Sequence, residues 1–163
     1  MIFLSMDAVE LLMIDHSALR IKSEDREIIN MMEFRIFLMD IHVGIEEKVV
    51  FPELVLLGNS ETKKTIDSLI ADHKLLDKLY SNLIKWKSGE NPLYEQRIPL
   101  FYQTLTFHNS QEEKLVFPLW KNLEPEVAKN DIKTALEIIN ASGVDTYMKE
   151  TGISADMIKY IEQ

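Results

Sequence analysis

Hydrophobic residues recur every three or four positions through most of this chain, which is the period of an α-helix with one buried face. In the first segment, Val9, Leu12, His16 and Leu19 follow this spacing. Segments of the same kind follow, separated by short polar stretches. The pattern predicts four amphipathic helices, at about residues 6–22, 25–52 and 61–87 and from residue 92 onward.

The breaks between these segments are short and carry turn chemistry. The Gly58-Asn59-Ser60 cluster ends the second segment, Gly89 ends the third, and Asn91-Pro92 opens the fourth. Four helices with short connections predict an all-α fold, an up-down-up-down four-helix bundle. In that topology the second and fourth helices run parallel. We expect this domain to cover residues 1–124.

Beyond Pro125 the pattern changes, because two shorter helical segments alternate with glycines. Residues 126–140 and 154–162 predict two helices, so we expect residues 125–163 to form a C-terminal helical extension. This appendage either packs on the bundle or forms a surface for a partner, such as a second copy of the chain in a homodimer.

Polar residues on the predicted buried faces occur in a duplicated motif. The first copy is His42-x3-Glu46-Glu47 followed by Phe51-Pro52, and the second is His108-x3-Glu112-Glu113 followed by Phe117-Pro118. Sixty-six residues separate each position from its counterpart. Residues four apart in a helix share a face, one turn apart, so each copy presents an imidazole and a carboxylate together.

All four histidines of the chain belong to duplicated contexts. Asp15-His16 in the first helix matches Asp72-His73 in the third, and the other two histidines lie in the motif above. In the predicted bundle, four imidazoles and two carboxylates form one buried layer, which is costly unless cations partner it. Imidazole and carboxylate ligands suit iron, manganese or zinc, so the pattern predicts a metal pair.

The amino-acid composition limits the binding partners and the cellular location that we expect for this protein. The chain has 163 residues, enough for one domain with a hydrophobic core, and a net charge of −9, which argues against nucleic acid or an anionic membrane as the main partner. The absence of cysteine excludes disulfides and thiolate metal sites. Residues 1–5 make a poor signal peptide, and no apolar run is long enough to span a membrane, so we expect a cytoplasmic protein.

The duplicated motif, together with the two Asp-His pairs, resembles the hemerythrin-like cation-binding family over about residues 6–123. The resemblance implies a four-helix bundle around a non-haem di-iron centre, with two iron ions bridged by an oxo or hydroxo group. The implied ligands are His16 and His42 for one iron, His73 and His108 for the other, and Glu46 and Glu112 as bridges.

Two positions depart from the oxygen-carrying members of that family. Those proteins have a second histidine four residues after the one in the third helix, where this chain has Asp77. Their last ligand is an aspartate five residues after its histidine, where this chain has Glu112, four after His108. Asp77 shares the face of His73 and is therefore a candidate seventh ligand. Its alternatives are to accept a hydrogen bond from a ligand or to point past the site.

Three classes of function are compatible with this predicted site. The first, which we favour, is a non-enzymatic di-iron protein that binds O2 or NO, or handles iron, for sensing, storage or a redox response. The second is a di-iron enzyme, either an oxidase or peroxidase or a protein that repairs iron centres. The third is an interaction module with a structural metal. An open coordination position separates the first two from the third.

Several residues beside the candidate ligands are predicted to have structural roles. For Asp15 and Asp72 we favour a solvated or capping role over a hydrogen bond to a histidine, and we expect Glu47 and Glu113 to face solvent. The apolar excess on the outer face of the second helix predicts that the C-terminal helices or a second subunit cover it. The residues of that outer face are Ile29, Ile36 and Phe37.

Overall fold

The computed structural model describes residues 6–162, and the elements in that range are helices joined by turns, with no β-strand among them. This confirms the all-α class. Residues 1–5, where the sequence predicts no signal peptide, lie outside the described residues. Within residues 6–162, no helix combines the length and the apolar composition that a membrane crossing requires.

We number the helices of the described range α1 to α7 in chain order. They are α1 (Ala8–Asp25), α2 (residues 31–57), α3 (Ser60–Ser88), α4 (Leu93–Leu115), α5 (Pro125–Ser142), α6 (Val144–Thr151) and α7 (Ala155–Glu162), with a 3₁₀ segment at Phe117–Asn122. The short helix α6 was not predicted, because glycines at both of its ends had indicated a connection.

Polar side chains cap the N-termini of the first two helices. Asp7 accepts a hydrogen bond from the backbone N–H of Glu10, whose own carboxylate accepts one from the N–H of Asp7, which makes a capping box. Asn30 accepts hydrogen bonds from two backbone N–H groups of α2. The prediction that the second helix begins at Asp25 was wrong, because Asp25 still belongs to α1 and Arg26 takes a left-handed conformation that ends it.

Helix α2 is continuous but not uniformly wound. It consists of α-helical turns at Met31–Arg35, Val43–Ile45 and Phe51–Leu57 and π-helical turns at Ile36–His42 and Glu46–Val50. The π-helical turns contain both candidate ligands of this helix, and such turns are often found at functional sites. The helix continues past Pro52, which lies two residues beyond the second π-helical turn, and it ends at Leu57.

Helices α1 to α4 contact one another in a closed ring: α1 packs on α2, α2 on α3, α3 on α4, and α4 on α1. Between α2 and α3, three contacts run in opposite chain directions. They are Glu47 with His73, Arg35 with Asp77, and Met31 with Tyr80. These two helices are therefore antiparallel.

The C-terminal helices α5 and α6 pack on α1 and α2. Phe37, on the outer face of α2, is completely buried and lies against Tyr147 of α6, with ring centroids 6.0 Å apart. Ile29, in contrast, remains 92% exposed. The C-terminal segment thus covers this face of α2 from its first turn to His42, whereas Ile29 precedes α2, which begins at Met31.

A pair of carboxyl groups lies where α5 meets α2. Burial, followed by the negative charge of Glu53 and a hydrogen bond to it, raises the pKa of Asp131 from 3.8 to about 6. Folding therefore favours the protonated form. The resulting stability is complete below pH 3.8 and is lost as the pH rises through about 6.

We accordingly expect Asp131→Asn to stabilise the protein at pH 8 by about 1 kcal/mol after allowance for solvent screening, because the amide removes the repulsion by Glu53. The gain should disappear at pH 4. Urea unfolding at the two pH values measures it, with Glu137→Gln, an exposed change on the same helix, as the control. An equal gain at both pH values would contradict the assignment.

Candidate metal centre

Six of the seven predicted ligands come together inside the ring of α1 to α4. They form two groups, one of His16, His42, Glu46 and Glu112, and one of Glu46, His73, His108 and Glu112. Within each group the candidate ligand atoms lie within 4.8 Å of one another. Both groups contain the same two glutamates. The carboxylate pair therefore lies in the middle, with one histidine pair on each side.

Each of the four helices contributes to the cluster, and its side chains are at most 2% exposed. In the two copies of the motif, the histidine lies beside its own glutamate, with Nε2 of His42 2.9 Å from Oε1 of Glu46 and Nε2 of His108 3.2 Å from Oε1 of Glu112. The residue from α3, His73, brings its Nε2 to within 3.0 Å of His108 Nε2. The Nε2 atoms therefore converge on the glutamates.

A second ring of carboxylates lies outside the histidines and faces their Nδ1 atoms. The distances to Nδ1 are 2.9 Å from Asp15 to His42, 2.7 Å from Glu47 to His73, 3.1 Å from Asp72 to His108 and 3.7 Å from Glu113 to His16. Each of these carboxylates directly precedes or follows a cluster residue in the sequence and reaches the histidine of a neighbouring helix. For His42, His73 and His108 the carboxylate is within hydrogen-bond distance, and an acceptor at Nδ1 fixes the tautomer and directs the Nε2 lone pair inward.

This ring corrects the interpretation of the four acidic residues. Glu47 and Glu113 do not simply face solvent, and Asp15 and Asp72 contact histidines in place of the solvated or capping role that we favoured. The reason is geometric. A residue adjacent to a core-facing position is turned by about 100°, which in a closed ring of helices points at the neighbouring helix.

Phenylalanines close the cluster at one end. The ring of Phe51 stacks on His73 with centroids 5.9 Å apart, and the ring of Phe117 stacks on His16 at 5.5 Å. Both phenylalanines belong to the duplicated Phe-Pro and are buried. They hold the imidazole planes and exclude water, which is a more specific role than the core packing expected from the sequence.

Seven donor atoms of the cluster lack hydrogen bonds among the described residues. These buried atoms are Nδ1 and Nε2 of His16, Nε2 of His42, and both carboxylate oxygens of Glu46 and of Glu112. Buried polar atoms without a partner are rare in proteins, and a bound water or ion usually satisfies them. Imidazole nitrogens and shared carboxylates are the donors that iron, manganese and zinc accept, so the residues fit a metal pair.

The electrostatics of the cluster are those of an ion pair kept out of water. Burial disfavours the charged form of His42, but the Glu46 and Asp15 carboxylates outweigh it and raise the pKa of His42 to about 10. Burial likewise opposes ionisation of Glu46, but the histidines around it lower the pKa of Glu46 to about 2. Burial, together with the charge on His42, holds the pKa of His16 well below its usual value. A bound cation would supply the positive charge that His42 otherwise carries.

Comparison with protein families identifies this part of the chain. Residues 7–120 match the hemerythrin HHE cation-binding domain. The chain belongs to the hemerythrin HHE cation-binding family. No significant match was found among curated proteins or among solved structures. The matched residues of this hemerythrin domain include the whole cluster and end before α5, so the C-terminal helices lie outside them.

Asp77, the seventh predicted ligand, is in neither group of this hemerythrin domain. Its side chain is 41% exposed and pairs with Arg35, from which Oδ1 is 3.4 Å away. The helical wheel places Asp77 on the face of His73 but does not give its level along the bundle. Because α3 runs antiparallel to α2, Asp77, four residues beyond His73, lies further from Glu46 and next to Arg35.

Asp77→Ala should therefore leave the metal content unchanged, whereas His73→Ala should reduce it. The loss of a partly exposed ion pair with Arg35 should cost less than about 1 kcal/mol of stability. Elemental analysis of both variants after anaerobic loading with Fe²⁺ provides the test. A comparable loss of metal in the two variants would return Asp77 to the set of ligands.

One buried polar contact of the centre comes from outside the hemerythrin domain. The hydroxyl of Tyr147, in α6, donates a hydrogen bond of 2.7 Å to Oδ1 of Asp15. The duplication of Asp-His and Glu-Glu could have indicated the outer carboxylates, since they repeat with the ligands. Tyr147 has no counterpart in the repeat, so the sequence contained no signal for its role.

Proposed function

We propose that the chain is a non-haem di-iron protein that binds a diatomic ligand, O2 or NO, or handles iron, in sensing, storage or a redox response. The observation that carries the proposal is the pair of buried histidine groups that share two carboxylates without hydrogen-bond partners. Shared carboxylates favour two cations over one, because each carboxylate has two oxygens and both metals can use it.

In this proposal His16 and His42 hold one iron, His73 and His108 hold the other, and Glu46 and Glu112 bridge them. The supporting contacts are the outer carboxylates at Nδ1 of His42, His73 and His108, which leave Nε2 of these three histidines to face the glutamates. The fold that accompanies this assignment is an up-down-up-down bundle of α1 to α4, in a domain of residues 1–124. Residues 125–163 form the appendage.

An iron pair would supply redox chemistry towards a small ligand, and the protein controls access to it. Four imidazoles and two bridging carboxylates do not saturate two octahedral ions, so positions remain for exchangeable ligands. The burial of every cluster residue and the stacked phenylalanines, Phe51 and Phe117, restrict those positions to small molecules. No described helix spans a membrane, and the net charge of −9 does not favour nucleic acid.

The test is iron analysis with optical spectra of the protein loaded anaerobically with Fe²⁺, before and after addition of O2, NO and azide. We expect two irons per chain and a spectrum that changes with each ligand. Zinc-loaded protein is the control, because Zn²⁺ is redox-inert and has no d–d bands. Iron that is bound but insensitive to all three ligands would indicate a structural metal and an interaction module. Continuous consumption of O2 or of peroxide would indicate an enzyme.

A further inference from the structure

The C-terminal segment reaches the candidate metal centre through a chain of two hydrogen bonds. Tyr147 donates to Oδ1 of Asp15 at 2.7 Å, and Oδ2 of the same carboxylate lies 2.9 Å from Nδ1 of His42. Tyr147 and Asp15 are 0% exposed and His42 is 1% exposed. A residue outside the hemerythrin domain is therefore only one side chain away from a candidate ligand.

The position of Tyr147 is fixed by packing as well as by its hydroxyl. Its ring lies against Phe37 with centroids 6.0 Å apart, and Phe37 in turn lies 6.5 Å from the ring of His42. The α6 helix also forms ion pairs with both helices beneath it. These are Glu150 with Lys22 of α1 at 2.6 Å and Lys149 with Glu33 of α2 at 3.2 Å.

Asp15 needs a second hydrogen-bond donor more than the other three outer carboxylates do. The side chains of Glu47 and Asp72 are 37% and 36% exposed, so water can satisfy the oxygens that do not face a histidine. Glu113 is partly exposed and pairs with Arg20. Asp15 has no exposure, so its second oxygen depends on the hydroxyl of Tyr147.

We propose that Tyr147 is a positioning residue of the metal centre, through which α6 sets the orientation of His42. The proposal rests on the proposed function, since it requires a metal at the cluster. Without the hydroxyl, Oδ1 of Asp15 is buried and unsatisfied, and the carboxylate must rotate to find another donor. His42 then loses its fixed acceptor at Nδ1, and the iron that it holds with His16 is bound less tightly.

The test compares iron release from wild type, Tyr147→Phe and Tyr80→Phe, each loaded anaerobically with Fe²⁺ and then challenged with a ferrous chelator. Tyr80→Phe is the matched control, because it also removes a buried tyrosine hydroxyl, one that donates to the carbonyl oxygen of Met31 away from the cluster. In Tyr147→Phe one of the two irons should leave about 10 times faster, the lower end of the range for a group bonded directly to a ligand, because Tyr147 acts through Asp15. The other iron should leave as in wild type.

A double-variant cycle distinguishes positioning from general destabilisation. If Tyr147 acts through Asp15, the variant with both Tyr147→Phe and Asp15→Asn should release iron no faster than Asp15→Asn alone. Additive effects would overturn the proposal. So would equal release from wild type and Tyr147→Phe, equal acceleration of both irons, or the same acceleration in Tyr80→Phe. A wild type without an iron pair would overturn the proposed function as well, so the two failures can be told apart.

Discussion

Glu46→Ala is expected to reduce the iron content from about two ions per chain to about none, whereas His16→Ala should retain about one. Glu46 belongs to both groups of the cluster, and its buried carboxylate lies between them, with Oε1 2.9 Å from Nε2 of His42 and 3.7 Å from Nε2 of His73. Its removal therefore takes a donor from both metals. His16 belongs to one group, so its removal leaves the set around His73 and His108 intact. Elemental analysis after anaerobic loading and gel filtration measures the difference.

The control for this prediction is Glu46→Gln. The amide keeps the volume of the side chain, but it lacks the charge and one acceptor oxygen, so it cannot bridge two cations. We expect Glu46→Gln to lose the pair as Glu46→Ala does, while it leaves less of a cavity in the metal-free protein. If Glu46→Ala, Glu46→Gln and His16→Ala all retained the same amount of iron, Glu46 would not be a bridge.

Metal loading is expected to raise the midpoint of thermal unfolding by about 10 °C. A cation that binds only the folded chain stabilises it by about 4 kcal/mol at a concentration 1,000 times its Kd. For a chain of this size each kcal/mol corresponds to about 2–4 °C. The binding energy is available because seven buried donor atoms of the cluster have no hydrogen-bond partner among the described residues.

The comparison that makes this result specific is Fe²⁺ against Mg²⁺ at the same ionic strength, followed by circular dichroism under anaerobic conditions. Mg²⁺ prefers oxygen donors and keeps much of its water, so a histidine-rich site should bind it weakly. An equal shift with both cations would mean that general screening of the net charge of −9, and not the cluster, is responsible.

The duplicated motif is what made the core of the centre predictable from the sequence. Residues that repeat with the same spacing occupy equivalent places on equivalent helices, so His42 and Glu46 had to lie opposite His108 and Glu112 if the helices formed a ring. The helical period also gave the extent of α3 to within one residue, because Ser60–Ser88 has clear capping chemistry at both ends. Here local signals agreed with the overall fold.

The sequence could not give the level of each residue along the bundle or the helix that lies next to it. A helical wheel gives the direction of Asp77 but not its level, and the antiparallel course of α3 puts it beside Arg35. The same wheel separates core from surface but not surface from a neighbouring helix, which is why Glu47 and Glu113 were misjudged. The π-helical turns of α2 shift the wheel itself, since they depart from 3.6 residues per turn.

The contact made by Tyr147 was beyond sequence reasoning for a different reason. It joins residues 132 positions apart, and it forms only because α6 packs against both α1 and α2. No periodicity or repeat encodes such a contact. It followed only from the burial of Asp15 and from the question of what satisfies each of its oxygens.

Two metals should share Glu46 and Glu112, and the most direct test is an anomalous-scattering map of crystals of the iron-loaded protein, measured at the iron edge. We expect two peaks about 3.5–4 Å apart, the usual spacing of paired metals. One peak should lie beside His16 and His42, and the other beside His73 and His108, with both glutamates between them. A single peak, or a peak away from these six side chains, would contradict it.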